Sequence, residues 1–208
     1  MKLAIFGATG RIGSLLVRQA LDSGHDVAAY ARREGWAKSV VSERLRAITG
    51  PLDSRSVAET IAGSDAVLAA LAAGNGTLTL FDQLALPLLE RSGPRRLVSL
   101  VGASVPMPGD PDTFSLRLMS LLMRLVPTGV FADATAHAAA LARSTLAWTL
   151  VRAANFADRP PTGRVRAEAA FRMSLNASVT RSDLAAFMLT AATGGHFIRQ
   201  APMIANSD

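Results

Sequence analysis

Residues 2–13 read Lys-Leu-Ala-Ile-Phe-Gly-Ala-Thr-Gly-Arg-Ile-Gly, a short apolar run followed by three glycines. The apolar run at positions 3–6 is typical of a strand that is buried on both faces of a parallel sheet. After the glycine turn, apolar residues recur at helical spacing, with Ile12, Leu15 and Leu16 on one stripe. The segment therefore predicts a strand, a tight turn and a helix in direct succession.

The glycine-rich turn predicts a binding site for the pyrophosphate of a dinucleotide. One glycine allows the tight turn, another lets the pyrophosphate approach the backbone, and the last lets the helix pack closely against the strand. The N–H groups in the first turn of the helix have no partner within the helix, so they point at that anion. The alternative is a tight turn that binds no ligand. The predicted contacts are Gly7, Ala8, Thr9, Gly10, Arg11 and Ile12.

Length and composition restrict the architecture. A chain of 208 residues is long enough for one core and short for two domains, so we predict a single domain over residues 1–208. Its C-terminal third, about residues 153–208, is expected to complete the substrate side. No apolar run approaches the ~20 residues of a membrane span, and the chain has no cysteine. We expect no membrane association, no secretory signal and a cytoplasmic location.

The charge favours a small anionic ligand. The net charge of +6 comes almost wholly from arginine, since Lys2 and Lys38 are the only lysines. A basic balance suits a nucleotide or a nucleic acid. The arginines are scattered, however, and one Tyr and two Trp offer few surfaces for stacking on bases. We therefore expect a small-molecule substrate and no nucleic-acid partner.

The residues after the second predicted strand, 27–31, indicate which dinucleotide binds. Dinucleotide folds that prefer NAD place an acidic residue here, against the ribose 2′-hydroxyl. This chain has Arg32 and Arg33 instead, and a guanidinium group suits a phosphate. NADPH (NADP) is therefore the predicted cofactor. The alternative is a pair of solvated loop arginines.

The rest of the chain alternates strand and helix patterns. Further strands are predicted at 45–48, 66–71, 96–101, 148–152 and 197–204. This alternation is typical of an α/β, doubly wound Rossmann fold, with a parallel sheet of six to seven strands and helices on both faces. Ligands of such sheets bind beyond the carboxyl ends of the strands. Loops at those ends add Leu52 and Asp53 beside the adenine, and Leu71, Ala72, Ala73 and Gly74 beside a ribose.

Three further segments carry hypotheses. Residues 114–126 form an apolar, methionine-bearing stretch, which is either core or a lid over a flat substrate. His137 lies four residues after Asp133, so both share one helix face, and we expect a surface histidine with a catalytic role as the alternative. The segment from Thr180 to Asp183 is typical of a helix capping box.

Together these residues resemble the atypical short-chain dehydrogenases of the NAD(P)H-binding, NmrA-like group. The motifs that carry the resemblance are residues 7–13, the Arg32-Arg33 pair, and residues 148–152 and 178–185. Residues 158–163 are similar to the loop after strand six in the biliverdin/flavin reductase branch. The resemblance spans nearly the whole chain and implies the Rossmann fold and an NAD(P)H cofactor.

The resemblance carries the family's catalytic residues over only in part. The superfamily uses a Tyr and a Lys four residues apart, but Tyr30 is the only tyrosine here and lies in the second strand. The flavin reductase branch has a serine after strand five and a histidine after strand six. Gly102 stands near the first position, with Ser104 slightly further on, and Asn155 stands at the second. The candidate catalytic residues are therefore Asn155, Ser104 and His137, and no metal site is expected.

The resemblance implies an NADPH-dependent reductase of a flat conjugated acceptor, such as a flavin or a quinone. Such an acceptor can take its proton from water, so catalysis consists mostly of positioning. The alternative is a non-catalytic NADP(H)-binding redox sensor of NmrA-like type, which the missing proton donors favour. An isomerase or epimerase of nucleotide-linked sugars is disfavoured by the missing tyrosine. A monomer or a dimer is expected.

Overall fold

The computed structural model describes residues 1–40, 42–91, 96–108, 110, 118, 121, 129–153, 155–168 and 177–207. In chain order the elements are β1 (Lys2–Phe6), α1 (Gly13–Asp22), β2 (Asp26–Ala31), β3 (Leu45–Thr49), α2 (Ser54–Ile61), β4 (Ala66–Ala69), α3 (Thr77–Arg91), β5 (Arg96–Gly102), α4 (Val130–Arg143), β6 (Ala147–Ala153), β7 (Asn155–Ala157), β8 (Val165–Glu168), β9 (Ser178–Thr180), α5 (Arg181–Gly194) and β10 (Met203–Asn206). A short 3₁₀ turn, Trp36–Ser39, lies between β2 and β3.

One sheet of eight strands forms the centre of the protein, in the order β3-β2-β1-β4-β5-β6-β10-β8. Its neighbouring strands are parallel, except that β8 runs antiparallel to β10. The strand order reverses between β1 and β4, and a crevice beyond the carboxyl ends at such a point is where doubly wound sheets bind ligands. The predicted doubly wound Rossmann fold is confirmed.

The expected count of six to seven strands is too low by one. The additional strand is β8, whose sequence Val-Arg-Ala-Glu has no continuous apolar run. Among the described strands it pairs with β10 alone and therefore lies at the edge of the sheet. An edge strand of this kind needs little apolar surface, and the pattern that predicts buried strands is therefore absent. β7 and β9 also form a separate parallel pair.

Helices cover both faces of the sheet. α1 and α5 pack on one face, with Leu16, Leu184 and Met188 in their core, and α2, α3 and α4 pack on the other. β1 contributes to both cores, since Leu3 and Ile5 lie in the first whereas its alternate residues lie in the second. The prediction that this strand is buried on both faces is confirmed.

Two predicted strands differ from the structure by more than one residue at an end. β4 ends at Ala69, two residues before the predicted end. The last strand is Met203–Asn206 rather than 197–204, because Phe197 and Arg199 have φ values of 57° and 55°, which interrupt an extended chain. The predicted lid, residues 114–126, lies outside the described residues apart from Leu118 and Leu121, which are both exposed.

Candidate dinucleotide and acceptor site

The turn between β1 and α1 requires glycine at two positions. Gly7 has a φ of +84°, and a Cβ there would lie 2.4 Å from the carbonyl oxygen of Ala70. A Cβ at Gly13 would lie 2.0 Å from the carbonyl oxygen of Gly7. At Gly10 the nearest contact would be 3.2 Å, to the same oxygen, which would have to move by a few tenths of an ångström. Gly7 and Gly13 are therefore needed to close the turn, whereas folding places a weaker demand on Gly10.

Backbone hydrogen bonds hold the turn against its neighbours. The N–H of Gly10 donates to the carbonyl of Gly7 at 2.9 Å, and the N–H of Ala8 donates to Tyr30 of β2 at 3.2 Å. The approach of Gly7 to Ala70 also brings the loop after β4 beside the turn. The three predicted cofactor segments, after β1, β2 and β4, thus meet at one edge of the sheet.

The N-terminus of α1 differs from those of its neighbours. α1 begins without a side-chain cap and without an acidic residue in its first turn. By contrast, Asp53 caps α2, Thr180 caps α5, and the Asp133 carboxylate accepts N–H groups at the start of α3. α4 also lacks a side-chain cap but carries Asp133 in its first turn. In α1 the N–H of Ser14 donates to the carbonyl of Gly10 at 2.9 Å, and no described side chain neutralises the positive end of the helix dipole. That end is therefore available to an anion from outside the chain.

The arginine pair follows β2 at the same edge. Arg32 and Arg33 are both exposed. The preceding Tyr30 is buried, donates its hydroxyl to the carbonyl of Gly50 at 2.9 Å, and has a pKa raised by that burial. This tyrosine is a structural residue, whereas the two arginines are free to meet a ligand phosphate.

The predicted adenine-side residues have a local structural role as well. Asp53 accepts the N–H of Ser56 at 2.8 Å, and the Ser56 hydroxyl accepts the N–H of Asp53, so the two form a capping box. Hydrogen bonding from Ser56 lowers the pKa of Asp53. Leu52 is partly buried against the core below.

Asp133 organises the loop after β4, a role that the sequence analysis missed. Its carboxylate accepts N–H groups from Gly74 at 2.9 Å, Leu78 at 3.0 Å and Thr79 at 3.0 Å, as well as the Thr79 hydroxyl at 2.7 Å. Burial opposes ionisation, but these bonds outweigh it and lower the pKa of Asp133. The loop needs such support because Gly74, Asn75 and Gly76 all have positive φ. The predicted contacts Leu71, Ala72, Ala73 and Gly74 lie in this loop and the residues before it.

His137 is fully buried, so the expectation of a surface histidine is wrong. Its Nε2 lies 2.7 Å from the hydroxyl of Ser99 on β5, and its Nδ1 lies 2.7 Å and 2.9 Å from the two carboxylate oxygens of Asp82 on α3. With Asp82 ionised, Nδ1 carries the hydrogen and Nε2 accepts from Ser99. Burial raises the pKa of Asp82, and the hydrogen bond from His137 opposes that rise.

This Ser99–His137–Asp82 chain contains the residue types of nucleophilic hydrolases, but Ser99 has no exposed surface. In this conformation neither Ser99 nor His137 can touch a bound acceptor, so the geometry gives no support to His137 as a direct proton donor. A signal for the chain exists in the sequence. Asp82 falls on the buried stripe of α3, between Leu78 and Ala85.

Asn155 and Ser104 come to the same edge. Gly102 ends β5 and pairs with Ala153, which ends β6, so the residues that follow both strands are close. Asn155 is exposed, and its side chain donates to the carbonyl of Ala177 at 3.4 Å, whereas Ser104 is half-buried. Both predicted catalytic positions therefore lie at the edge of the sheet that carries the carboxyl ends of the strands.

A second group of side chains at this edge combines Arg11, a predicted cofactor contact, with three residues that were not predicted. Asp158, just after β7, forms an ion pair with Arg181 of α5 and lies 4.0 Å from Arg11 of the glycine turn. The Arg181 guanidinium also lies over the ring of Phe156, 5.5 Å from its centroid. We call Arg11, Asp158, Arg181 and Phe156 the rim cluster. It joins the glycine turn to the segment after β6.

Asp183 holds the loop that carries Asp158. Its carboxylate accepts the N–H groups of Thr162 at 2.9 Å and Gly163 at 3.0 Å, and the amide of Asn206 at 2.7 Å. Burial opposes ionisation, but these bonds lower the pKa of Asp183 to about 2. The predicted capping by Thr180 is confirmed, since its hydroxyl accepts the N–H of Asp183 at 3.0 Å. The N–H of Thr180, however, donates to the side-chain oxygen of Asn206 at 2.8 Å, whereas in a complete capping box it would donate to the side chain of Asp183.

The described part of the chain shows two absences. It contains no helix long and apolar enough to cross a membrane. Nor does it contain a group of three or more His, Cys, Asp or Glu side chains placed to hold a metal ion.

Solved structures share this fold at low sequence identity. ChuY, an anaerobillin reductase from Escherichia coli, superposes with a TM-score of 0.81 at 18% identity, covering 100% of this chain and 98% of that one. A Streptococcus pneumoniae protein, provisionally assigned as an NADH-flavin reductase, has a TM-score of 0.73 at 21% identity, with 100% of both chains covered. A short-chain dehydrogenase/reductase from Veillonella parvula, in complex with NADP, has a TM-score of 0.78 at 16% identity, with 99% and 94% covered.

A family profile matches most of the chain, although the sequence identities to these solved structures are low. The profile of a family described as NAD(P)H-binding matches residues 7–194, which run from the first glycine of the turn to the last residue of α5. The chain belongs to this NAD(P)H-binding family.

Proposed function

We propose that the protein is an NADPH-dependent reductase that transfers hydride to a flat conjugated acceptor of flavin or quinone type. The observation that carries the proposal is the uncapped N-terminus of α1 beside a turn that requires Gly7 and Gly13. Such a helix end receives the pyrophosphate of a dinucleotide. The family match supports the cofactor class, and the fold shared with an anaerobillin reductase and a provisionally assigned flavin reductase supports the acceptor class.

The choice of NADPH over NADH rests on Arg32 and Arg33. Both arginines are exposed just after β2, where an enzyme specific for NADH has an acidic residue. Their guanidinium groups would donate to the 2′-phosphate of NADPH, which NADH lacks.

The acceptor side supports hydride transfer without a dedicated proton donor. When bound, NADPH supplies a hydride from its nicotinamide ring. Asn155 and Ser104 border the crevice and would orient the acceptor by hydrogen bonds. The reduced ring takes its remaining proton from water, so the reaction balances as NADPH, acceptor and one proton giving NADP⁺ and reduced acceptor. Ser99 and His137 are buried and take no direct part.

Oxidation of NADPH by the purified protein, followed against flavins, quinones and aldehydes, tests the proposal. We expect turnover with the flat acceptors well above the rate without protein, and no turnover with aldehydes. Gly10→Val is the control, since it removes space for the pyrophosphate in a turn that it does not break. Tight NADPH binding without turnover of any acceptor would contradict the reductase and favour a redox sensor. The cytoplasmic location and the monomeric or dimeric state stay predictions.

A further inference from the structure

We infer that Arg11 and Arg181 form a receptor for an anionic group on the acceptor, and that Asp158 occupies this receptor in the free protein. The inference rests on the proposed function and names the acceptors that the site prefers: flat rings that carry a phosphate or a carboxylate. It comes from the rim cluster, whose side chains neither the family match nor the fold comparison assigns to a ligand.

Two arginines from distant parts of the chain converge on one carboxylate. Oδ1 of Asp158 contacts Arg181, and Oδ2 lies 4.0 Å from NH1 of Arg11. A carboxylate between two guanidinium groups has the charge and the planar shape of a ligand carboxylate, and it resembles two oxygens of a phosphate. Asp158 therefore marks the place where an anion is stabilised.

The carboxylate can leave this place at little cost. The side chain of Asp158 is 77% exposed and that of Arg11 is 76% exposed. Ion pairs between exposed side chains contribute little to stability, because water and salt screen them. Once Asp158 moves into solvent, two positive charges remain at the receptor, and a ligand anion would neutralise them.

Arg181 is held in position more firmly than Arg11. Its side chain is only 17% exposed, and its guanidinium lies over the Phe156 ring, a cation–π arrangement. It is also the first residue of α5, which Thr180 caps. A positioned guanidinium loses little conformational entropy when it binds an anion, so Arg181 is the main specificity residue of the receptor.

Phe156 provides the apolar part of the same surface. Its side chain is among the large hydrophobic groups that remain exposed, at 46%. The guanidinium of Arg181 covers one part of the ring, and the exposed part is available to a flat acceptor. Side chains alternate along β7, so Phe156 and Asn155 point to opposite sides and would contact different parts of a bound molecule.

The anion could come from the acceptor or from the dinucleotide pyrophosphate, since Arg11 belongs to the glycine turn. The acceptor is favoured because Phe156, Asp158 and Arg181 all follow β6, in the C-terminal third of the chain that we predict to complete the substrate side. Arg181 also lies over the Phe156 ring on β7, and binding of the pyrophosphate alone would not require such an aromatic partner.

Riboflavin and flavin mononucleotide form a matched pair of probes, because they share one ring system and differ by a phosphate. Their dissociation constants for the NADP⁺-loaded protein can be measured by quenching of flavin fluorescence, without turnover. We expect flavin mononucleotide to bind about tenfold more tightly than riboflavin, the effect of one additional charged hydrogen-bonded contact. Arg181→Gln should remove most of this difference, and Asp158→Asn should increase it. Arg164→Gln, an exposed arginine of the same loop outside the rim cluster, should preserve it.

Several results would overturn the inference. These are equal affinities for the two flavins, failure of both flavins to bind, or an Arg181→Gln variant that keeps the parent's preference. A weaker affinity for NADPH in Arg181→Gln, with the flavin preference unchanged, would assign the anion to the cofactor and also overturn it. Discrimination between the flavins in a protein that reduces no acceptor would uphold the receptor and overturn the proposed reductase. Thermal unfolding of each variant confirms that the comparison concerns folded protein.

Discussion

The Ser99–His137–Asp82 chain and the rim cluster both contain three polar side chains in contact with one another. Their environments, however, are opposite. The first is closed between β5, α3 and α4, and Ser99 and His137 have no exposed surface. The second lies at the crevice, where Arg11 and Asp158 are more than three-quarters exposed. In the buried chain each group needs its partner, because an unpaired polar group there costs free energy. In the rim cluster, Arg11 and Asp158 are so exposed that water can replace their partners.

We therefore expect the buried chain to determine the stability of the fold and the rim cluster to determine ligand binding. A substitution in the buried chain should lower the free energy of unfolding and change ligand binding only through the fold. A substitution in the rim cluster should change ligand binding and leave the free energy of unfolding nearly unchanged. The following predictions test that separation.

The largest effect is expected when the buried chain loses its centre. His137→Ala leaves Asp82 as a buried carboxylate without its hydrogen-bond donor and also creates a cavity. We expect a loss of about 3–5 kcal/mol in the free energy of unfolding, which combines the cost of an unsatisfied buried carboxylate with that of a cavity the size of a side chain. Asp158→Ala is the matched control from the rim cluster and should cost less than about 1 kcal/mol. Urea unfolding of both variants checks the prediction, and similar losses for the two would contradict it.

Within the glycine turn, we expect a substitution at Gly10 to impair ligand binding and a substitution at Gly13 to impair folding. Gly10→Val places a side chain where the pyrophosphate approaches, so affinity for either dinucleotide should fall at least ~100-fold, about 2.7 kcal/mol, while the protein stays folded. Gly13→Val is the comparison, because its Cβ would lie 2.0 Å from the Gly7 carbonyl oxygen and folding should fail. Calorimetric titration and circular dichroism measure the two outcomes. Normal dinucleotide binding by Gly10→Val would show that the turn has no ligand.

The arginine pair after β2 should affect one cofactor only. Arg32→Ala removes a charged donor to the 2′-phosphate, so NADPH binding should weaken by ~1.5–3 kcal/mol, the range for hydrogen bonds to charged groups. NADH lacks this phosphate, and its affinity should change little. Titration of both cofactors into the variant and the parent checks this prediction. Equal losses for the two cofactors would refute the assignment.

Two buried carboxylates should respond to pH with opposite signs. The pKa of Asp183 is lowered to about 2, so its contribution to stability is complete above its ordinary pKa of 3.8 and is lost as the pH falls towards 2. The pKa of Asp82 is raised, so its contribution is complete below 3.8 and is lost as the pH rises through the folded-state pKa. Asp183→Asn should therefore cost about 2 kcal/mol at pH 6 and progressively less below pH 4. Urea unfolding from pH 2 to 6 measures this difference, and a cost independent of pH would contradict it.

The parts of the fold that sequence predicts are those with a local pattern. β1, the glycine turn and α1 follow one another along the chain, and apolar spacing and glycine positions describe them completely. The edge strand β8 could not be predicted in this way, because its half-exposed residues carry no apolar run. Phe197 and Arg199 fall in a predicted strand but adopt positive φ values. Neither residue type favours that conformation, so the sequence does not predict it.

The candidate site divides in the same manner. The meeting of the predicted cofactor segments at one edge was predictable because each follows a strand, and parallel strands bring their carboxyl ends together. The rim cluster joins residues 11, 156, 158 and 181, and its contacts depend on how β7 and α5 are placed. The orientation of His137 depends on partners on two other elements, Ser99 and Asp82. A helix pattern alone cannot distinguish a polar residue with buried partners from one in water.

The smallest effect is expected at the exposed edge itself, where we propose that hydride is transferred. If the acceptor takes its proton from water, no side chain there is an indispensable acid. Asn155→Ala should then cost only one positioning hydrogen bond, about 1 kcal/mol or a few-fold in the rate of flavin reduction. The rate should also lack the bell-shaped dependence on pH between about pH 6 and 8 that an essential acid and base impose. Ser104→Ala changes the second positioning residue, at the neighbouring strand end, and should have an effect of similar size. A loss above ~100-fold in either variant, with a titration that disappears at the same time, would mean that the edge supplies the proton and that its residues are as indispensable for catalysis as the buried chain is for folding.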